Sequence, residues 1–379
     1  MSDFANILSF HRQGSIKVGN ISSNSNLAKN LRYDEMLALS FLTIEKPIHL
    51  LRILKRRSDI SFYELERIIN NPEYHCYTIP KKRGGLREIQ APVGTLKQIL
   101  QQINGLMQIY YDEIKPECVH GFVIKPSQDE QYCNIVANAQ PHVNKRFVLN
   151  MDIKDFFPGI TAKRVYKMFL SDVFGFNKHI AVALTLLTTY RGQLPTGSPS
   201  SPVISNFICL DLDRDLTAYC CMAGLTYTRY ADDLTFSSDI RITAKMIYDI
   251  RQIIQRHDFR INENKFRLLT AHAQQKVTGL VVNKKVNIDR RMLKRIRAML
   301  HDLNTNGLHA AALRHFGIQR NRNLDDVSLM FLKRLDGYIN FVGQVRGKDH
   351  LYDKMEMEFS RYTDSSPFYC GFRHIYNDL

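Results

Sequence analysis

Leu225-Thr-Tyr-Thr-Arg-Tyr-Ala-Asp-Asp-Leu-Thr-Phe-Ser237 alternates apolar and polar side chains on both sides of two adjacent carboxylates, Asp232 and Asp233. Leu225, Tyr227 and Arg229 share one parity before the pair, and Leu234 and Phe236 the other after it. The spacing predicts a hairpin that turns at Ala231 to Asp233. Like charges this close raise each other's pKa, and a fold rarely holds them together unless a cation compensates. A solvent-exposed Asp-rich turn is the plain alternative, and other residues must decide between the two.

A second acidic cluster lies upstream, in Phe147-Val-Leu-Asn-Met-Asp-Ile-Lys-Asp-Phe-Phe157. A mostly apolar strand ending in Asp152 can present its carboxylate at a sheet edge, where it meets the Asp232/Asp233 turn. Three carboxylates at one site suit two Mg²⁺ ions, which activate an attacking hydroxyl and stabilise a leaving pyrophosphate. Asp152 could instead cap the helix AKRVYKMFL, although Asp155 or Thr161 is better placed for that. Between the clusters, GQLPTGSPSSPVISNFICLDLDRDL places a tight polar loop around Ser198, Ser200 and Ser201 before a helix with Ile204, Phe207, Ile208, Leu212 and Leu216 on its apolar face. Such a loop suits close backbone approach to a phosphate or base pair, or an ordinary capped helix start.

The chain has 379 residues, 44% of them hydrophobic, enough for two or three subdomains with real cores. Its 52 Lys and Arg against 37 Asp and Glu give a net charge of +15. That excess favours a polyanionic partner, nucleic acid before an anionic membrane surface. No apolar run nears the roughly 20 residues needed to span a bilayer, and the start lacks a signal-peptide pattern, so the expectation is cytoplasmic with no membrane partner. Seven cysteines without a CxxC pair indicate free thiols rather than a disulfide framework or zinc site.

Residues 1 to about 30 read as a polar arm. Apolar spacing from Leu37 to residue 56 predicts a helix, and SFYELERIINN a second one after an Asp59/Ser61 start. Tyr77-Thr-Ile79 and Leu86-Arg-Glu-Ile89 flank KKRGG, which predicts a hairpin with Lys81, Lys82 and Arg83 at its tip. Residues 92 to 112 read as an amphipathic helix. Near 289 a basic helix begins, with Met292, Ile296, Met299 and Leu300 apolar and Arg290, Arg291, Lys294, Arg295 and Arg297 on its other faces. This suits a helix along a duplex backbone or a merely soluble amphipathic helix. LDGYINFVGQVRGKDH gives a further helix before a short aromatic-rich tail. No internal repeat points to a solenoid.

DIKDFF (152–157), LPTGSPSSP (194–202) and YADD (230–233), in this order and spacing, resemble the palm motifs of reverse transcriptases. HDFRINENKF resembles the motif that ends in a palm lysine, here Lys265. Val277-Thr278-Gly279 and Asn138-Ala-Gln-Pro-His142 resemble the VTG and NAxxH segments of retron reverse transcriptases. These matches span roughly residues 75 to 290.

The resemblance implies an α+β right-hand polymerase with an N-terminal helical extension (1–60), fingers with part of the palm (61–145), a palm with an antiparallel sheet (146–288) and a helical thumb and tail (289–379). It implies Asp152, Asp232 and Asp233 as metal ligands for two Mg²⁺, with Mn²⁺ as a possible substitute, and Lys265 as a catalytic proton donor. It makes Phe157 the steric gate that excludes a ribose 2′-hydroxyl, though a plain core aromatic remains the alternative. Arg87 and Lys82 become triphosphate contacts, with Gly197 and Ser198 of the loop beside them. Asn138, His142, Val277, Thr278, Gly279, Arg291, Lys294 and Arg295 become RNA or template contacts. Thr196 departs from the family, where many members have Gln, which removes a side-chain amide there but not the loop's backbone role. The implied activity is synthesis of single-stranded DNA (msDNA) on a cognate structured non-coding RNA, primed from an RNA 2′-hydroxyl, in anti-phage defence. The implied partners are that RNA and its msDNA product, dNTPs, an effector protein and host RNase H. Another class of bacterial reverse transcriptase, or a nucleic-acid scaffold restraining an effector, are the competing expectations.

Overall fold

The computed structural model describes residues 31–54, 60–81, 84–124, 133–317 and 323–364. The expected N-terminal arm, Lys82, Arg83 and the aromatic-rich end of the chain lie outside them. Packing divides the chain into two units, Met1–Asn138 with Phe147–Leu268, and Ala139–Arg146 with Leu269–Leu379. The expected extension, the expected fingers as far as Asn138 and most of the expected palm therefore fall in the first unit, while the last residues of the expected fingers fall in the second.

The first unit opens with α1 (Tyr33–Leu42), α2 (Pro47–Leu54) and α3 (Phe62–Asn70). The single helix expected from Leu37 to residue 56 is thus two. Proline has no N–H to donate and disfavours a helical residue before it, so Pro47 begins a helix rather than lying inside one. The Ser61 hydroxyl caps α3, accepting from the Glu64 N–H at 3.1 Å. Strands β1 (Tyr74–Pro80) and β2 (Leu86–Pro92) form the expected hairpin, in register from Tyr74 opposite Pro92 to Pro80 opposite Leu86. Helix α4 (Gly94–Ile114) then buries Ile99, Leu100, Ile103 and Met107.

After the short α5 (Ile135–Ala139) comes β3 (Phe147–Asp152), then α6 (Ala162–Leu170) and α7 (Lys178–Thr188). Thr161 caps α6, which leaves Asp152 free of that duty. The LPTGSPSSP loop leads into α8 (Ser201–Ile208) and α9 (Leu210–Ala223), which abut at Cys209 where one helix was expected. Gly224, at φ 66°, ends α9 in the left-handed region that suits glycine. The chain continues through β4 (Thr226–Tyr230), β5 (Asp233–Ser238) and α10 (Ala244–Arg256) to β6 (Arg267–Thr270), on which it passes into the second unit. The sheet order is β4-β5-β3-β6. Leu149, Met151, Leu234 and Phe236 are buried, and beyond them Tyr110, Phe169, Phe174 and Phe207 pack ring on ring.

In the second unit, β7 (Lys276–Val277) and β8 (Leu280–Val281) pair about a two-residue turn, Thr278 and Gly279, at φ 47° and 88°. Two successive positive φ values match the turn whose twist suits a hairpin. Helix α11 (Arg290–Phe316) starts at Asp289, which accepts from the Arg291 N–H at 2.9 Å, and breaks at Gly307. Asp302 before the break pairs with Arg314 and, at 2.8 Å, with His315 after it. Helices α12 (Leu324–Arg346) and α13 (His350–Asp364) follow. The second of these occupies much of what read as a tail. Among the described residues no helix is long and apolar enough to cross a membrane, and every described cysteine is a free thiol.

Candidate active site

Register brings the acidic residues together. Strand β3 pairs with β5 so that Asp152 stands opposite Asp233, and β4 pairs with β5 so that Tyr230 also stands opposite Asp233. The turn is therefore two residues, Ala231 and Asp232, and Asp233 already belongs to the strand, a correction of one residue to the expected turn. The hairpin closes this tightly because Ala231 takes φ 59°. The Ile153 N–H donates to the Asp232 carbonyl at 2.9 Å, so the end of β3 also holds the turn from its other side. One ligand oxygen from each of Asp152, Asp232 and Asp233 lies within 4.8 Å of the others, and among the described residues this cluster alone meets that test for a metal site.

A short antiparallel contact completes the cluster. Ile153 bridges to Ile261, and the Asn262 N–H donates to the Asp152 carbonyl at 2.7 Å. That contact aims Lys265 inward, and its Nζ meets Asp152 Oδ1 at 2.5 Å, while Asn262 Nδ2 donates to Asp152 Oδ2 at 3.2 Å. Burial, then the Asp232 charge and a hydrogen bond with Asp152, push the Asp233 carboxyl up to about 7 even though the residue reaches solvent. Burial and the Asp152 charge also raise Asp232, against the pull of Lys265 and Arg87. Burial lowers the Lys265 pKa, but its bond to Asp152 and the surrounding carboxylates outweigh this and raise it. One lysine thus faces three carboxylates. An all-oxygen set with surplus negative charge is the donor chemistry of a hard divalent cation, so these residues fit the expected metal.

The family model described as reverse transcriptase (RNA-dependent DNA polymerase) matches residues 79–284, more than half of the chain. The chain belongs to the reverse transcriptase family. Its mixed helices and antiparallel sheet are those of a right-hand polymerase. Similar curated proteins include the Retron Ec86 reverse transcriptase of Escherichia coli, 41% identical over 46% of this chain and 54% of that one. The Retron Mx65 reverse transcriptase of Myxococcus xanthus is 33% identical over 60% of this chain and 55% of that one. The chain thus spans about half the length of these relatives. Among solved structures, telomerase from Candida albicans aligns with 81% of this chain and 66% of that one, at TM-score 0.44 and 10% identity, a likeness too slight to build on.

The described candidates that the reverse transcriptase resemblance placed at the incoming nucleotide lie on β2, after β3 and in the LPTGSPSSP loop. Arg87 is exposed on β2, and its charge reaches Asp232. Phe157, half-buried, packs against Phe156 and Phe122. Gly197, at φ 123°, lies so close to β2 that an added Cβ would sit 2.9 Å from the Ile89 side chain. The Thr196 carbonyl accepts from the Gln90 N–H at 2.7 Å, so the loop docks through its backbone. Ser198 instead turns inward, 4% exposed, with its hydroxyl 3.2 Å from that of Ser200.

The remaining candidates are spread along the chain. Asn138 and His142 are each wholly buried, so neither side chain offers RNA a surface. Val277 is the buried residue before the β7–β8 turn that Thr278 and Gly279 form. Arg291, Lys294 and Arg295 are exposed on α11, as the charge pattern predicts. Lys82 lies outside the described residues.

Two sets of residues escaped sequence reading. Asn262 lies within HDFRINENKF, where a lone amide gives no signal beside Lys265. Arg229 is wholly buried, its guanidinium paired with Asp213 at 2.6 Å and donating to Asn206 Oδ1 at 3.0 Å and the Ala231 carbonyl at 3.3 Å. The signal was a charge on the inward parity of the hairpin, alongside Leu225 and Tyr227.

Proposed function

We propose that the protein is a retron-type reverse transcriptase that copies a cognate structured non-coding RNA into single-stranded DNA, starting from a 2′-hydroxyl of that RNA. The observation that carries the proposal is the convergence of Asp152, Asp232, Asp233 and Lys265 within a chain of this family. Its similarity to retron reverse transcriptases supports the narrower type. Two divalent cations, Mg²⁺ or in its place Mn²⁺, would supply activation of the priming hydroxyl and charge neutralisation at the α-phosphate and the departing pyrophosphate.

The chain's own residues do the rest. Asp152, Asp232 and Asp233 would hold those ions, and the raised pKa values of Asp232 and Asp233 fall once cations replace the missing positive charge. Lys265 keeps a proton on Nζ at neutral pH and can deliver it to the pyrophosphate as the P–O bond breaks. Arg87 would take the triphosphate through its planar donor fork, and Lys82 of the KKRGG segment would add a second cation. The Phe157 ring would lie under the deoxyribose, where a 2′-hydroxyl has no room. The exposed cations of α11 would follow the template–product backbone. In the cell, the DNA product would work with an effector protein in anti-phage defence, and host RNase H would remove copied RNA.

The test is to express the protein with its flanking DNA and extract total nucleic acid, comparing wild type with Asp232→Asn/Asp233→Asn. A short single-stranded DNA joined to RNA at a branch, present in the wild type alone, is the expected result. Extension of an ordinary primer on RNA by the purified protein, without any branched product, would keep the polymerase and remove the retron type. Biological activity undiminished in the variant would favour a scaffold.

A further inference from the structure

Phe122 occupies a backbone position that an aromatic residue seldom takes. Its φ is 60°, in the left-handed region where a side chain with Cβ is strained. Two side-chain amides hold it there. Its carbonyl accepts from Gln108 Nε2 at 2.9 Å and from Asn206 Nδ2 at 3.3 Å, and Asn206 Nδ2 also reaches the Gly121 carbonyl at 3.1 Å. Gln108 then closes the turn from the far side, its Oε1 accepting from the Ile124 N–H at 3.2 Å. Gly121 presses on the carboxylate hairpin so closely that an added Cβ would lie 2.4 Å from the Ala231 nitrogen. Asn206 is itself a partner of Arg229, whose guanidinium grips the Ala231 carbonyl. The strained turn at Gly121-Phe122 and the turn that carries Asp232 are therefore fastened to one another.

The Phe122 ring points along a row of aromatics. Phe259 stacks on Phe156 at 5.9 Å, Phe156 meets Phe157 at 5.4 Å, and Phe157 meets Phe122 at 5.8 Å with 31° between the rings. Phe156 is buried and fixed from behind. Phe157 packs against both Phe156 and Phe122, so Phe122 limits how far the Phe157 ring can tilt. Nothing in the chemistry of polymerisation needs an aromatic at Phe122. Backbone strain kept in place by two side-chain amides is explained by a demand for this ring at this place.

We propose that Phe122 is a positioning residue for sugar selection: it braces the Phe157 ring and so fixes the clearance left for a 2′-hydroxyl. The proposal rests on the gate role proposed above for Phe157. The test measures kcat/KM for a dNTP and the matching rNTP with the purified full chain on an RNA template and primer, together with Tm. Phe157→Ala is expected to lower the dNTP over rNTP ratio strongly, Phe122→Ala by about tenfold, and Phe122→Tyr hardly at all. In the Phe157→Ala background, Phe122→Ala should change the ratio no further, because the ring it braces has gone. Should Phe122→Ala not fold, Phe122→Leu, which keeps bulk without flat ring faces, serves in its place. Equal losses for dNTP and rNTP in the Phe122 variants would mark a purely structural residue and overturn the proposal. An unchanged ratio in Phe157→Ala would instead remove the gate itself, and the bracing role with it.

Discussion

Asp152 and Asp233 face each other across neighbouring strands, a placement that costs stability whenever no cation lies between them. Replacing Asp233 with Asn should therefore raise Tm in chelator by about 2–4 °C while lowering primer extension by roughly 10³-fold. Added Mg²⁺ should raise the Tm of the wild type and leave the variant nearly unmoved; thermal scans with and without Mg²⁺ check both. His120, beside the same hairpin, is pushed down to about 4 by burial and the nearby Lys115 charge. A histidine depressed in the fold stays neutral there while the unfolded chain takes up a proton below its ordinary 6.5. The stability it contributes is thus intact above 6.5 and lost as pH falls toward 4. Denaturant titrations across that range should show a steeper fall for wild type than for His120→Gln. At this scale the acidic residues were legible because paired carboxylates need a reason. Asn262 and Asn206 were not, because an amide looks the same in a sequence whether it lies at the surface or tethers a carboxylate cluster.

The helices and hairpins were legible wherever the local pattern also decided the packing. The KKRGG hairpin, the helix of 92 to 112 and the basic face of α11 all stand near where periodicity put them. The misplacements have local causes: Pro47 divides one apolar run, Cys209 joins two helices in another, and a left-handed Ala231 shortens the carboxylate turn. Chain division was harder, since Ala139–Arg146 packs with residues more than a hundred positions away. Helix α11 offers the sharpest test of a whole element. Arg291→Glu/Lys294→Glu/Arg295→Glu should weaken RNA binding and flatten the slope of log affinity against log salt by about 2–3. Far-ultraviolet dichroism and Tm should stay near wild type, because all three side chains are exposed. An unchanged salt slope would take the duplex path away from this helix.

For the molecule as a whole, the +15 charge predicts partnership with a polyanion before any site is known. RNA affinity should accordingly fall by about 10³-fold or more between 50 and 200 mM salt, measurable by filter binding or fluorescence anisotropy. A neutral dependence would mean that the excess charge serves something else. The two tight turns carry a further consequence, for chain length. Tyr230 to Asp233 and Val277 to Leu280 each leave room for only two residues between paired strands. Each hairpin acts as a ruler: one inserted residue would shift the pairing by a step and swap inward for outward side chains. Between Pro80 and Leu86 the ruler is slack, since the strands are already joined by a longer loop. An added residue there should leave the strand register and Tm unchanged, whereas one at the Asp232 turn should not.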